Sequence, residues 1–363
     1  MRKNRRIFLQ PPYTGRLERE AVKAAFASGY IAPCGPQVEE FERRLAALAG
    51  RRHAVAVSSG TAAIELLLAA LGVDERWTVI AATLTFIATV GPAWRRGAKL
   101  ALVDSAEDAL IDPALLERAL AETKGPKAVI PVDLYGRVCD YPRIARLCRR
   151  YDATLLADAA EAVGSRRDGR PAGSAGLAAV YSFNGNKCIT TSGGGAVLTD
   201  SKPLADAVRR LSTQSREPVA WYEHREVGYN CRMSNLLGAI GVAQLDRLPE
   251  ILEKKRRIAA WYGSPDDESN HWLNLRFYEN TKVRDAVIAA LARADIEARP
   301  VWKPMHLQPV FRGSDRVRVY GGEVAKRLFE TGVCLPSGAA LRKQDVARII
   351  AIADRAEKGA RKS

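Results

Sequence analysis

The stretch SFNGNKCITTSGGGAVLTD, residues 182–200, sets a single lysine, Lys187, among small and polar side chains. Ser192-Gly193-Gly194-Gly195 follows five positions later. A solvated surface lysine needs no such setting. A lysine that must bond covalently to a flat, phosphorylated molecule does, because its amine has to approach an electrophilic carbon closely.

Three other places offer groups that such a molecule would need. Ser58-Ser59-Gly60-Thr61-Ala62 follows the strand pattern HAVAV and opens a helix. Helix-start N–H groups beside small residues suit a phosphate; an ordinary Ser/Thr cap is the alternative. Phe86, after VIAA and Thr83-Leu84-Thr85, is either a face for a flat ring or a core aromatic. Asp158 ends the apolar run TLLAD, and Glu161 follows three residues on. If a helical turn begins there, both carboxylates share one face. A carboxylate ending a buried strand needs a cationic partner, either an arginine elsewhere or a ligand atom.

Each feature alone is weak. In this order, a phosphate cradle, a flat aromatic, a buried aspartate and a lone lysine beside Ser182 match what pyridoxal phosphate requires. The lysine forms a Schiff base, and the aspartate keeps the pyridine nitrogen protonated so that the ring accepts electrons. At about 4 Å and an effective dielectric near 20, such a pair attracts by roughly 4 kcal/mol before desolvation. That is enough to move a ring-nitrogen pKa by a few units.

The elements around these residues alternate. TAAIELLLAALG (61–72) reads as a helix closed by glycine, WTVIAA (77–82) as a buried strand, and FIATVGPAWRRG (86–97) as a second helix. KLALVD, KAVIPV and ATLLAD then read as strands separated by the helices PALLERALAET and YPRIARLCRRYD. This alternation predicts an α/β fold with a mainly parallel sheet flanked by helices. Short apolar strands without alternation fit burial on both faces. Ligands in such sheets bind at the carboxyl ends of the strands, where the residues above fall.

After residue 200 the pattern changes. Residues 234–262 read as a long helix interrupted near Pro249. A strand (HWLNLRFY), a helix, a strand near IEARPVW and a last amphipathic helix (QDVARIIAIADRAEKG) follow. The expected division is an N-terminal segment and large domain over 1–248, then a smaller C-terminal α+β domain over 249–363. REAVKAAFASG and VEEFERRLAALAG read as helices packing across both.

The 363 residues are 47% hydrophobic and 27% charged, an ordinary globular balance. No apolar run reaches the roughly 18 to 20 residues of a membrane span. The basic start lacks the apolar region of a secretion signal, so a cytoplasmic protein is expected. Cysteines 34, 139, 148, 188, 231 and 334 form neither a CxxC pair nor a cysteine–histidine cluster. Structural thiols are expected, with no disulfide framework and no metal. Lysine and arginine outnumber acids 56 to 41, a net charge of +15. The basic pairs are spread out, and only KKRR (254–257) and the tail EKGARKS cluster, without interleaved aromatics. A solvated surface, or attraction of a small anionic substrate, accounts for this better than specific nucleic-acid binding.

The blocks GYIAPCGPQVEEFE, VSSGTAAIELLLAALGV, LADAAEAVGS, SFNGNKCITTSGGGAVLTD, GYNCRMSNLLGAIGVAQL and RPVWKPMHLQPVF run nearly end to end. In type and order they resemble the nucleotide-sugar aminotransferases of the DegT/StrS type, which have the aspartate aminotransferase fold of type I. FNGNK with WKPMHLQP is most similar to the branch acting on UDP-linked 4-keto-6-deoxy-hexosamines. The resemblance implies transfer of an amino group from L-glutamate to a keto sugar, for surface glycan biosynthesis. GDP- or dTDP-linked sugars and transfer to C3 are alternatives.

The resemblance also implies roles. Lys187 holds the cofactor and shuttles a proton between the glutamate Cα and the cofactor C4′. Asp158 faces the pyridine nitrogen, Glu161 the phenolic oxygen side, and Phe86 stacks on the ring. Gly60, Thr61 and Ser182 hold the phosphate. Asn230, in GYNCRMSN, reaches that phosphate from the neighbouring subunit of a homodimer. Asn184 and His306 line the sugar-nucleotide pocket. Relatives that dehydrate sugars carry histidine at the position of Lys187. A non-catalytic regulator would tolerate loss of Lys187 and Asp158, yet both are present. Two departures stand out: only GSPDDESN joins Tyr262 to His271, where relatives carry a longer stretch with an edge strand, and Cys231 replaces an aromatic.

Overall fold

The computed structural model describes residues 6–362. Residues 1–5 and Ser363 lie outside them, and with them most of the basic start read above. Two amphipathic helices come first, α1 (Arg16–Ser28) and α2 (Pro36–Ala49). An alternating series follows: β1 (His53–Val57), α3 (Gly60–Ala70), β2 (Thr78–Ala82), α4 (Gly91–Arg95) and β3 (Lys99–Val103). It continues with α5 (Pro113–Glu122), β4 (Lys127–Ile130), α6 (Tyr141–Arg150) and β5 (Thr154–Asp158). A short hairpin, β6 (Arg166–Arg167) and β7 (Arg170–Pro171), precedes β8 (Ala178–Ser182), β9 (Gly195–Thr199) and α7 (Lys202–Ser212). The long α8 (Asn235–Trp261) leads into β10 (Asn274–Phe277), α9 (Thr281–Arg293), β11 (Arg299–Pro300) and β12 (Val317–Tyr320). The last elements are α10 (Glu323–Thr331), β13 (Gly332–Leu335) and α11 (Lys343–Lys362).

The large sheet has eight strands in the order β1-β9-β8-β5-β4-β2-β3-β12. Only β9 runs against the rest, pairing antiparallel with both β1 and β8. Successive residues of one strand serve opposite faces, as pleating requires. Leu155 and Ala157 join the core beneath α2, α5, α6 and α8, while Leu156 joins the core beneath α3 and α7. Burial on both faces explains why these strands read as continuous apolar runs. A second sheet, β10-β13-β11, is antiparallel and packs with α9 and α11 around Val283, Val287, Leu291 and Ile349. The α/β architecture with a small antiparallel C-terminal sheet is the expected one.

Four local expectations are corrected. The helix expected over 86–97 is two pieces, a single tight turn at Ile87–Thr89 and the short α4. Pro92 in the first turn of α4 has no N–H to continue a helix from upstream. The interruption near Pro249 is absent, since α8 runs unbroken past it with Leu245, Leu248 and Ile251 buried on either side. That packing outweighs the one backbone bond the proline forfeits. The strand near IEARPVW shrinks to two residues, ended by Pro300. Finally, Lys255 of the KKRR cluster is not at the surface. It is buried, and its Nζ donates to Gln10 Oε1 (3.2 Å) and to the carbonyls of Trp272 (3.3 Å) and Ser337 (2.8 Å).

Candidate active site

Segments that follow the carboxyl ends of β1, β2, β5 and β8 meet around one cavity of about 350 Å³. Gly60, Thr61, Phe86, Asp158, Glu161, Ser182, Asn184 and Lys187 all line it. Eight residues chosen from separate segments of sequence therefore meet at one place.

At the phosphate end, Ser59 caps α3, its Oγ accepting the Ala62 N–H. This fixes the first turn and leaves helix-start N–H groups facing the cavity beside Gly60 and Thr61. A Cβ on Gly60 would stand 3.0 Å from that of Ser182, so glycine is what lets the Ser182 side chain close on the helix start. The cradle fits a phosphate dianion in size and donors.

At the other end, Asp158 Oδ2 accepts a 2.7 Å hydrogen bond from Thr89 Oγ1, and Oδ1 accepts the Ala160 N–H. Thr89 itself bonds Thr85 Oγ1 at 2.7 Å. The tight turn that replaced the expected helix is what carries Thr89 to the carboxylate. Burial raises the Asp158 carboxyl above its ordinary value; the Thr89 and Ala160 bonds and the charge of Lys187 oppose it. Asp158 forms no ion pair among the described residues, and a protonated ring nitrogen would supply the cation.

Glu161 lies one tight turn beyond Asp158 rather than on a helix. Its Oε2 accepts the Tyr135 N–H at 2.8 Å, and its Oε1 stands 3.5 Å from Lys187 Nζ. Burial pushes this carboxyl up to about 7, against the pull of Lys187 and Tyr135 N–H. Lys187 is 13% exposed and its ammonium lies 4.2 Å from the centre of the Trp272 ring.

Several contributors went unread in the sequence. Trp272, Trp302, Phe86 and Tyr135 form an aromatic cluster with ring centres 5.4 to 6.1 Å apart. Tyr135 Oη accepts the Trp302 N–H, and Trp272 Nε1 donates to the Asn186 carbonyl. Trp302 lay inside the block RPVWKPMHLQPVF, but Trp272 read only as part of a strand. Phe86, 57% exposed, leans on Trp302 and leaves its other side open. A larger cavity of about 620 Å³ adjoins, sharing Phe86, Asn186, Trp272 and Trp302 and adding Gln10 and the ion pair of Arg299 with Glu297, 2.8 Å apart.

Two expected residues stand apart from the cavity. His306 is half-buried, its Nδ1 2.7 Å from Thr83 Oγ1, and is not in the lining. Asn230 is exposed, in a segment anchored by bonds from Tyr229 N–H to the Leu211 carbonyl and from Ser58 N–H to the Cys231 carbonyl. Cys231 itself packs at the edge of the core beneath α3 and α7. The short segment 263–270 lies on the β6–β7 hairpin, where Glu268 accepts the N–H groups of Arg166, Asp168 and Gly169.

A lysine beside two buried carboxylates, a phosphate cradle at a helix start and this sheet topology define a pyridoxal-phosphate-dependent aminotransferase. The model of the DegT/DnrJ/EryC1/StrS aminotransferase family matches residues 12–353, and the chain belongs to that family. It is 39% identical over 372 residues to a putative pyridoxal phosphate-dependent aminotransferase, EpsN, of Bacillus subtilis, covering 96% of this chain and 95% of the relative. It is 35% identical to the GDP-perosamine synthase of Caulobacter vibrioides, covering 96% and 98%. Among solved structures, the pyridoxal-phosphate form of a putative sugar aminotransferase, Spr1654, from Streptococcus pneumoniae superposes with a TM-score of 0.90 at 27% identity, covering 98% and 100%. The protein is a nucleotide-sugar aminotransferase.

Proposed function

We propose that the enzyme moves the amino group of L-glutamate to C4 of a 4-keto-6-deoxy-N-acetylhexosamine carried by UDP, in the cytoplasm, for a surface glycan. The observation that carries this reading is the join between the two cavities. The inner one offers the cofactor's cradle and the outer one an aromatic-walled space with Gln10 and with Arg299, whose guanidinium a diphosphate would share with its partner Glu297. Sugar and base rings pack on aromatic faces, and a guanidinium suits a diphosphate.

When bound, pyridoxal phosphate supplies an electrophilic aldehyde and an electron-accepting ring. Gly60, Thr61 and Ser182 would hold its phosphate, and Asp158 would hold the proton on the ring nitrogen. Lys187 Nζ would hold the cofactor's aldehyde carbon and, as a free amine, would be the group placed to move a proton. Phe86 covers one ring face, and Asn184 meets the sugar from the mouth. Asn230 of the partner subunit completes the phosphate site in a homodimer.

The likeness to a GDP-perosamine synthase favours a second reading, in which the same site takes a GDP-linked sugar. The test is incubation with L-glutamate and either UDP- or GDP-linked 4-keto-6-deoxy sugars, reading the amino sugar by mass. An amino product from the UDP sugar is expected. Product from the GDP sugar alone moves the assignment to the second reading, and product from neither overturns both.

A further inference from the structure

A groove of about 340 Å³ lies between α6 and the β6–β7 hairpin, and shares no lining residue with the active-site cavity. Its floor is apolar, built by Val138, Pro142, Ala145, Pro171 and Ala175. Arg146, Arg149, Arg167 and Arg170 line it against one carboxylate, Asp168. Arg146 and Arg149 are one turn apart on α6, so their guanidiniums project from the same side as Ala145.

These arginines are unlike their neighbours. Arg150, next in sequence, pairs with Glu117, and Arg118 and Arg318 pair with Glu122. The adjoining depression is balanced, with Arg137, Arg166 and Arg167 facing Asp108, Asp168, Asp266 and Glu268. Arg146, Arg149 and Arg170 are exposed and make no ion pair or side-chain hydrogen bond among the described residues. Arg167 spends one N–H on the Val138 carbonyl at 2.9 Å, which fixes its fork at the groove wall. Like charges held together in a concavity repel one another, and a multiply charged anion relieves that repulsion. Guanidinium forks match phosphate oxygens two at a time. The volume falls in the small-ligand range, and a bounded groove suits a small molecule better than a polymer, which tracks an extended basic strip.

We propose that this groove is a second, non-catalytic binding site for a nucleoside diphosphate. The base lies on the apolar floor between Pro142 and Pro171, and the phosphates sit among the four guanidiniums. The inference stands apart from the choice of sugar at the catalytic site.

Hydrogen exchange on the full-length, cofactor-loaded enzyme tests it, with UDP, GDP, inorganic pyrophosphate and polyuridylate as probes. UDP or GDP should slow exchange in segments 138–150 and 166–176, less so as salt rises. The triple variant Arg146→Ala/Arg149→Ala/Arg170→Ala removes only exposed, unpaired side chains. Its half-saturation at these segments should rise by at least about tenfold. Arg170→Ala alone should give a smaller rise. Protection around Ser182–Lys187 reports the catalytic site separately and should match in parent and variant. No slowing in either groove segment at millimolar nucleotide, or equal half-saturation in parent and triple variant, overturns the proposal. Pyrophosphate protecting as well as UDP and GDP overturns the nucleoside assignment, and protection by polyuridylate alone gives the surface to nucleic acid instead.

Discussion

Glu161 and Lys187 face each other across the cavity, Oε1 to Nζ at 3.5 Å, with Glu161 almost wholly buried. An ammonium cannot attack a carbonyl carbon until it gives up a proton. A carboxylate pushed up to about 7 is poised to take that proton near neutral pH.

Glu161→Gln therefore should slow covalent attachment of pyridoxal phosphate to Lys187 by at least about tenfold, within the usual range for a general base. Stopped-flow absorbance of the reconstituting protein measures this. The parent rate should show an added step as pH passes about 7 that the variant, whose lysine loses its proton only to solvent, lacks; a variant that follows the parent's profile assigns the proton elsewhere.

Asp158→Asn keeps the shape and, with its one oxygen, a single one of the Thr89 and Ala160 bonds, but loses the anion. If Asp158 holds the ring nitrogen protonated, as proposed, kcat should fall by at least about 100-fold, roughly 2.7 kcal/mol of barrier. Lys187→Ala, at a polar rather than a core position, should stay folded and bind cofactor without borohydride-trappable attachment. Unchanged steady-state turnover in either variant contradicts the assigned role.

Asp133 offers a pH signature in the fold itself. It is buried behind the site, its N–H bonded to the Asp158 carbonyl and its Oδ1 accepting the Cys139 N–H at 2.9 Å. Oδ2 has no partner among the described residues. Burial raises this carboxyl from 3.8 to about 7. The folded chain thus binds the proton more tightly than the unfolded one. Its stabilising contribution is complete below about 3.8 and is lost as pH rises through about 7. Asp133→Asn should remove that slope, leaving the variant more stable than the parent at pH 8 by about 1 kcal/mol or more. Urea melts at pH 5 and pH 8 measure it, and parallel pH dependence in both proteins refutes it.

If Asn230 of the partner subunit completes each phosphate site, Lys187→Ala and Asn230→Ala protomers should complement each other. One site of the mixed dimer carries both lesions and the other neither, so up to about half of one dimer's activity should return after subunit exchange. No recovery once exchange is demonstrated, or a fully active monomer by sedimentation, counts against a shared site.

The chemistry-bearing residues were legible because each marks a local boundary. Asp158 and Ser182 end strands, Gly60 and Thr61 start a helix, and Lys187 sits in the turn before the glycines. Because ligands bind at the carboxyl ends of parallel strands, such boundaries gather on one side of the sheet. Trp272, Thr89 and Lys255 were not legible, because their roles arise from segments far apart in the chain. Lys255 looked like one more solvated cation in KKRR, and only the meeting of Gln10, Trp272 and Ser337 around Nζ makes it a buried hub. His306 shows the converse: a motif position can be right in type while its ring is held by Thr83 outside the cavity.

The outermost strand of the large sheet, β12, has its own consequence for how the chain comes off the ribosome. Val317 pairs with Leu100, so the β3 edge stays uncovered until Val317 has been made, long after β3 itself. Contacts that close so late in synthesis fold slowly, and a bare parallel edge is a template for self-association. A stop codon just after Leu307 would spare every residue of the catalytic cavity, Trp302 included, yet would remove β12 together with α10, β13 and α11 and should yield insoluble protein in cells.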